Sequence, residues 1–173
     1  MNDIEEVKQE VDHTISLISQ VLVDKITRSD FKTNSKIPYK VVSVKEIYKQ
    51  RLFDCMEALR ILIDHEKYLP ALMIIRSIME ITSVINSLEN RLQKALADKE
   101  IKSLDEELMI LLAGIKSPQA MGEDDTEMES SDDVKYQSKN ILGYIEKMAK
   151  TYRSYRIVYE ELSEFVHPNF CGC

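Results

Sequence analysis

Leu69-Pro70-Ala71-Leu72-Met73-Ile74-Ile75-Arg76 opens a run, extending to about Lys99, in which apolar residues recur at 71, 74, 78, 81, 85, 88, 92 and 95. This unbroken alternation of three and four is the signature of a helix packed along its length, and a proline near its first turn is well placed. Leu72, Ile75 and Met79 widen the stripe in the first half, so this half is expected to be the most buried part of the domain. Two charges interrupt it one turn apart, Arg76 and Glu80.

Working outward, the rest of the chain carries the same period. A first helix is expected from about Asp3 to Ile26, on the stripe Ile4, Val7, Val11, Ile15, Ile18 and Leu22. Periodicity stops over 27–43, where Asn34, Ser35 and Pro38 mark a loop. A second helix should start after Ser43, with Glu46 completing a capping box, and run to His65 on Val44, Tyr48, Leu52, Cys55, Leu59 and Leu62. A shorter helix is expected over 104–113, closed by Gly114. The segment 117–133 holds seven acidic and no basic residues and reads as a solvated, mobile loop. Val134 to Val166 then keeps the alternation without a break, which predicts one helix of about 33 residues, roughly 50 Å long. Pro168 would stop it.

The fold expected is therefore all-α: a single domain over 1–173, an antiparallel helical bundle of four long helices plus one short helix. The chain has 173 residues, enough to bury about 70% of the unfolded surface. Four Gly and four Pro among abundant Glu, Lys, Leu and Ile favour helix over sheet. A net charge of -7 argues against a binder that uses its whole surface for nucleic acid, though not against a local basic patch. The acidic start Met1-Asn2-Asp3-Ile4-Glu5-Glu6 lacks the basic region of a secretory signal. Arg76 and Glu80 near the middle of the most apolar window argue against membrane spanning. Three cysteines suggest reduced thiols, so a cytoplasmic protein is expected. The abrupt ending Cys171-Gly172-Cys173 reads as a missing C-terminal segment or, alternatively, a short natural tail.

Few residues stand out for chemistry. Arg76 and Glu80 share a helix face at i and i+4. The plain reading is an exposed ion pair continuing into a polar stripe at Ser83, Ser87 and Asn90; the functional one is a buried couple that holds a ligand. His167 and Asn169 follow a helix C-terminus and are pinned by Pro168, a setting that suits a cap or a binding residue. The antiparallel layout would gather Arg76, Glu80, Asp64, His65 and His167 at one end. Two Glu-x-x-His spacings, Glu10/His13 and Glu164/His167, lie off their apolar stripes and do not meet the needs of a di-metal bundle site. His167 with Cys171 and Cys173 lacks a full tetrahedral set. No metal or cofactor is expected. Arg60 and His65 have the Arg-x4-His spacing of HEPN ribonucleases, but Ile61 stands where that family usually has a polar residue. Lys135, Lys139, Lys147, Lys150, Arg153 and Arg156, with Tyr136, Tyr144, Tyr152 and Tyr155, make RNA a candidate partner for the last helix.

Two segments carry a resemblance. Leu72-Met73-Ile74-Ile75-Arg76-Ser77-Ile78-Met79-Glu80 and Tyr159-Glu160-Glu161-Leu162-Ser163-Glu164-Phe165-Val166-His167-Pro168-Asn169 resemble a loose group of uncharacterised bacterial helical proteins. Its members show Arg-Ser-x-x-Glu and a later Leu-Ser-x-x-x-His-Pro element; the group is distantly HEPN-like, and some members are associated with mobile elements or phage defence. The resemblance covers about thirty residues. It implies that Arg76, Glu80 and His167 form one site, without supplying an activity. The leading expectation is a cytoplasmic binding or regulatory module, meeting a second copy or another protein. A HEPN-like metal-independent ribonuclease is the alternative, with Arg76 or Arg60 holding phosphate and His167 or His65 in acid/base work. A purely structural interaction protein is third.

Overall fold

The computed structural model describes residues 2–98, 101–113 and 141–166. All regular structure among them is helical: α1 (Asn2–Ser19), α2 (Ile37–Asp64), α3 (Tyr68–Asp98), α4 (Lys102–Ala113), α5 (Ile141–Thr151) and α6 (Ser154–Val166), with a 3-10 turn at Arg28–Asp30. Four helices, α2, α4, α5 and α6, pack on α3, and α1 packs on α2. α3 is also the one described helix long and apolar enough to cross a membrane, and it is flanked by its neighbours along its length.

The predicted stripe of α3 faces α2. Near one end, Ala71 joins Met56, Leu59 and Ile63 of α2 and Val11 of α1. Near the other, Leu88 and Ala95 join Val44 of α2 and Leu104 and Leu108 of α4. The start of each helix thus meets the end of the other. Burying a Leu or Ile in such a cluster stabilises the fold by about 1.5–3 kcal/mol per side chain. A third cluster, Met79 with Ile145, Tyr159 and Leu162, lies on the other flank of α3. That flank carries Ser83 and Ser87, which are 1% and 2% exposed. The expected solvent-facing polar stripe is therefore wrong at these positions: α3 is sandwiched, and its serines line the second interface.

Several boundaries move, for physical reasons. The first helix ends at Ser19 rather than near Ile26, and Lys49 donates to the carbonyl of Val21 just beyond it. The second begins at Ile37, not after Ser43. Pro38 sits in its first turn, where a fixed φ helps, and Ile37 and Val41 extend the stripe backwards onto Leu92 and Leu104. Ser43 is thus no cap, and Glu46 pairs with Lys49 at 2.7 Å. The loop predicted over 27–43 shrinks accordingly. Its 3-10 turn is held by Asp30, which accepts the Thr27 N–H (2.7 Å) and so has its carboxyl below the usual range.

The α2–α3 turn is tight. Glu66 N–H bonds to the Ile63 carbonyl (3.1 Å) and Lys67 N–H to that of Leu62 (2.8 Å), the paired bonds of a Schellman ending. Glu66 takes the left-handed conformation there, φ 55°, where glycine is the usual residue.

The single helix expected over 134–166 is two helices in its described part, so the fourth long helix is not continuous. Thr151-Tyr152-Arg153-Ser154 holds three residues of modest helix propensity. Tyr152, expected on the apolar stripe, is exposed. Beyond the break Tyr155 and Tyr159 reach polar groups of α3, a compensation that the apolar pattern could not reveal. Gly114, the acidic segment 117–133, 134–140, His167, Pro168 and Asn169 lie outside the described residues.

Candidate functional site

Arg76 and Glu80 sit on the first half of α3, at the edge of its contact with α6. Arg76 Nε lies 3.4 Å from Glu80 Oε1. Tyr159 of α6 completes the group: its hydroxyl donates to Glu80 Oε1 (2.7 Å) and accepts from Arg76 Nη2 (3.1 Å). The Arg76 guanidinium also lies over the Tyr159 ring, 5.2 Å from its centre, so it is held by a cation–π contact as well. Burial, opposed by the Arg76 hydrogen bond and aided by Glu80, pushes the Tyr159 hydroxyl above its ordinary value. The side chains of Arg76 and Glu80 remain 31% and 32% exposed. They form neither a fully exposed pair nor a buried one.

One turn deeper, Tyr155 donates to the Met79 carbonyl (2.7 Å) and lies 2.7 Å from Thr82 Oγ1 and 3.2 Å from Ser83 Oγ. These tyrosines fix α6 on α3 and thereby fix the ring beneath Arg76. Guanidinium offers five N–H donors in a rigid fork. Of these, Nη2 donates to Tyr159, while Nε is buried beside Glu80 without a hydrogen bond among the described residues, and the side chain as a whole is 31% exposed. On the same face of α3 stand Leu69 and Met73, 57% and 48% exposed. At 100° per residue, 69, 73, 76 and 80 fall within one narrow strip, the part of α3 left open between α2 and α6.

The other sequence candidates are placed differently. Arg60 is held in ion pairs with Asp12 (2.7 Å) and Asp64, and Lys8 joins Asp64 at 3.1 Å. Hydrogen bonds from Arg60 and then Lys8 hold the Asp64 carboxyl below the usual range. His65 is exposed at the end of α2, five residues from Arg60, and its N–H bonds to the Ile61 carbonyl. This network pins α1 to α2. Glu10 and His13 are both exposed on α1. Among the described residues no group of three or more His, Cys, Asp or Glu is arranged to hold a metal.

The basic face of the last helices is partly spent on structure. Arg156 pairs with Glu160 (2.7 Å) and Glu146 (3.9 Å), while Lys147 donates to Ser87 (3.3 Å) and lies over the Tyr144 ring. Lys150 and Arg153 are exposed. Lys135, Tyr136 and Lys139 lie outside the described residues.

Sequence reasoning missed a second polar cluster. Glu107 of α4 is 1% exposed and meets Arg91 Nε at 2.5 Å, and the Tyr144 hydroxyl donates to it (3.3 Å). Burial, then the neighbouring charge of Glu107, pushes the Tyr144 hydroxyl well above its ordinary value. The signal was present: positions 104, 107, 108 and 111 form one helical stripe, so Glu107 had to point inward with the leucines. Tyr159 was likewise read as an apolar stripe residue, although its hydroxyl needs a partner when buried.

No family model, curated protein or solved structure matches the chain.

Proposed function

We propose that the protein is a cytoplasmic helical-bundle binding module that acts as a homodimer, meeting its second copy along Leu69, Met73, Arg76 and Glu80. In this reading the helices form an antiparallel bundle in which α5 and α6 together take the place of a fourth long helix. The observation that carries the proposal is the strip: two exposed apolar side chains next to a guanidinium held in place by Tyr159. Interfaces are built in this way, from apolar anchors and an arginine whose ordering cost has already been met. A strip bearing adjacent opposite charges is also suited to an isologous contact, where the same surface meets itself. The resemblance to a bacterial group linked to mobile elements and phage defence supports a regulatory setting.

A second reading is a HEPN-like metal-independent ribonuclease. It is favoured by one observation: Arg76 is held by Tyr159 and its side chain is 31% exposed, so it is a candidate for a phosphate contact. His167 and Asn169 would then belong to the same site. Two assays separate the readings. Sedimentation of the full chain should give a dimer that Met73→Glu dissociates, with no cleavage of mixed RNA by wild type or variants. RNA cleavage by the wild type, lost in Arg76→Ala and His167→Ala, would replace the binding module with the nuclease.

A further inference from the structure

Charge is divided unevenly around α1. On the flank turned to the end of α2 the charges are matched: Lys8 lies 3.3 Å from Glu5 and 3.1 Å from Asp64, and Arg60 lies 2.7 Å from Asp12. The opposite flank carries acids alone. There an open groove of about 450 Å³ is lined by Asp3, Glu6 and Glu10 together with Val7, Val11 and Met56, and no basic residue is among its described lining. Asp3, Glu6 and Glu10 are exposed and have no ion pair among the described residues. Val7 is 49% exposed, and Val11 and Met56 form a buried apolar floor beside it.

The needs of the helix do not account for this acidity. The dipole favours carboxylates in the first turn, which holds Asp3 and Glu5, whereas Glu6 and Glu10 lie beyond it. Spaced three and four residues apart, Asp3, Glu6 and Glu10 repel one another along the helix. They are also not gathered for a metal ion: among the described residues no group of three or more His, Cys, Asp or Glu is arranged to hold one. Carboxylates strung along two turns beside an apolar floor are complementary to one ligand chemistry, an extended body whose cations repeat at helical spacing around apolar side chains.

We infer that this groove docks a basic amphipathic helix of a partner protein, its lysines or arginines facing Asp3, Glu6 and Glu10 and its apolar face resting on Val7 above Val11 and Met56. A helix presents side chains three and four residues apart on one face, the spacing of the acids on α1, so the charged and apolar contacts form together. The groove shares no residue with the strip of Leu69, Met73, Arg76 and Glu80, so helix binding and self-association succeed or fail separately.

The test is fluorescence anisotropy of a labelled synthetic amphipathic helix of leucine and lysine, titrated with the full chain. A scrambled peptide of the same composition keeps the charge and loses the apolar face. The chain is acidic as a whole, with net charge -7, so Glu6→Lys/Glu10→Lys is set beside Asp124→Lys/Asp125→Lys, which changes the charge equally in another segment. Saturable binding at one site per chain is expected, roughly tenfold weaker for Glu6→Lys/Glu10→Lys and little changed for Asp124→Lys/Asp125→Lys. Val7→Ser should weaken it as well. Where melting shows that the Glu6→Lys/Glu10→Lys variant is misfolded, Glu6→Gln/Glu10→Gln decides in its place, again by weaker binding. Absence of saturable binding, or binding that neither substitution of Glu6 and Glu10 weakens, overturns the proposal. Equal binding of the scrambled peptide, or an equal loss in Asp124→Lys/Asp125→Lys, overturns it too and leaves only a general attraction of polycations to an acidic chain.

Discussion

Two places on α3 hold the same three chemical groups. Arg76, Glu80 and Tyr159 form one cluster, and Arg91, Glu107 and Tyr144 the other. In each, an arginine of α3 meets a carboxylate that accepts a hydrogen bond from a tyrosine of the last helices. They differ in water. The Glu80 side chain is 32% exposed, whereas that of Glu107 is 1% exposed. Burial decides what such a trio does: an inaccessible carboxylate stabilises only if its partners stay, while an accessible pair adds little stability and is open to a second molecule.

The sharpest break in this comparison is Arg91→Ala, which takes the arginine away from a carboxylate that is 1% exposed. A loss of about 2–3 kcal/mol is expected, at the low end for a buried pair because Arg91 is partly exposed. Chemical denaturation would measure it. Tyr159→Phe, at the other cluster, removes hydrogen bonds to Glu80 and from Arg76 and should cost about 1–2 kcal/mol. Smaller again is Arg76→Ala, expected to change stability by less than about 1 kcal/mol while weakening self-association. If Arg76→Ala destabilised the fold as much as Arg91→Ala, the two clusters would be doing the same job and the contrast would fail.

Alkaline pH sharpens the same contrast. Folding holds the Tyr144 phenol protonated above its ordinary value of 10.0. Its contribution is therefore complete below about pH 10 and is lost as the pH rises beyond it. Melting curves from pH 8 upward should fall more steeply for the wild type than for Tyr144→Phe. Identical slopes would show that Tyr144 ionises as freely in the fold as out of it.

The apolar period made α3 and α4 legible to within two residues, because burial against several neighbours leaves a repeating mark. It also placed Arg76 and Glu80 on one face. What it could not show was the partner of a polar group. Tyr155, Tyr159 and Glu107 occupy stripe positions and satisfy the apolar pattern in spacing, yet their hydroxyl and carboxylate groups add polar links from α3 to α6 and to α4. Ser83 and Ser87 misled for the same reason, since a serine that bonds across an interface, or to its own helix as Ser83 does to Met79, looks polar in sequence and is buried in space. The start of α2 was missed because Pro38 was read as a loop marker, whereas in a first helical turn the same fixed φ is an advantage.

The most direct test of the central claim is sedimentation velocity on the full-length wild type beside Met73→Glu. The side chain of Met73 is half exposed and outside every core cluster, so its replacement should leave melting unchanged. The account predicts a concentration-dependent dimer for the wild type and a monomer for the variant. A wild type that stays monomeric at all concentrations, or a Met73→Glu variant that dimerises as well as the wild type, would contradict it.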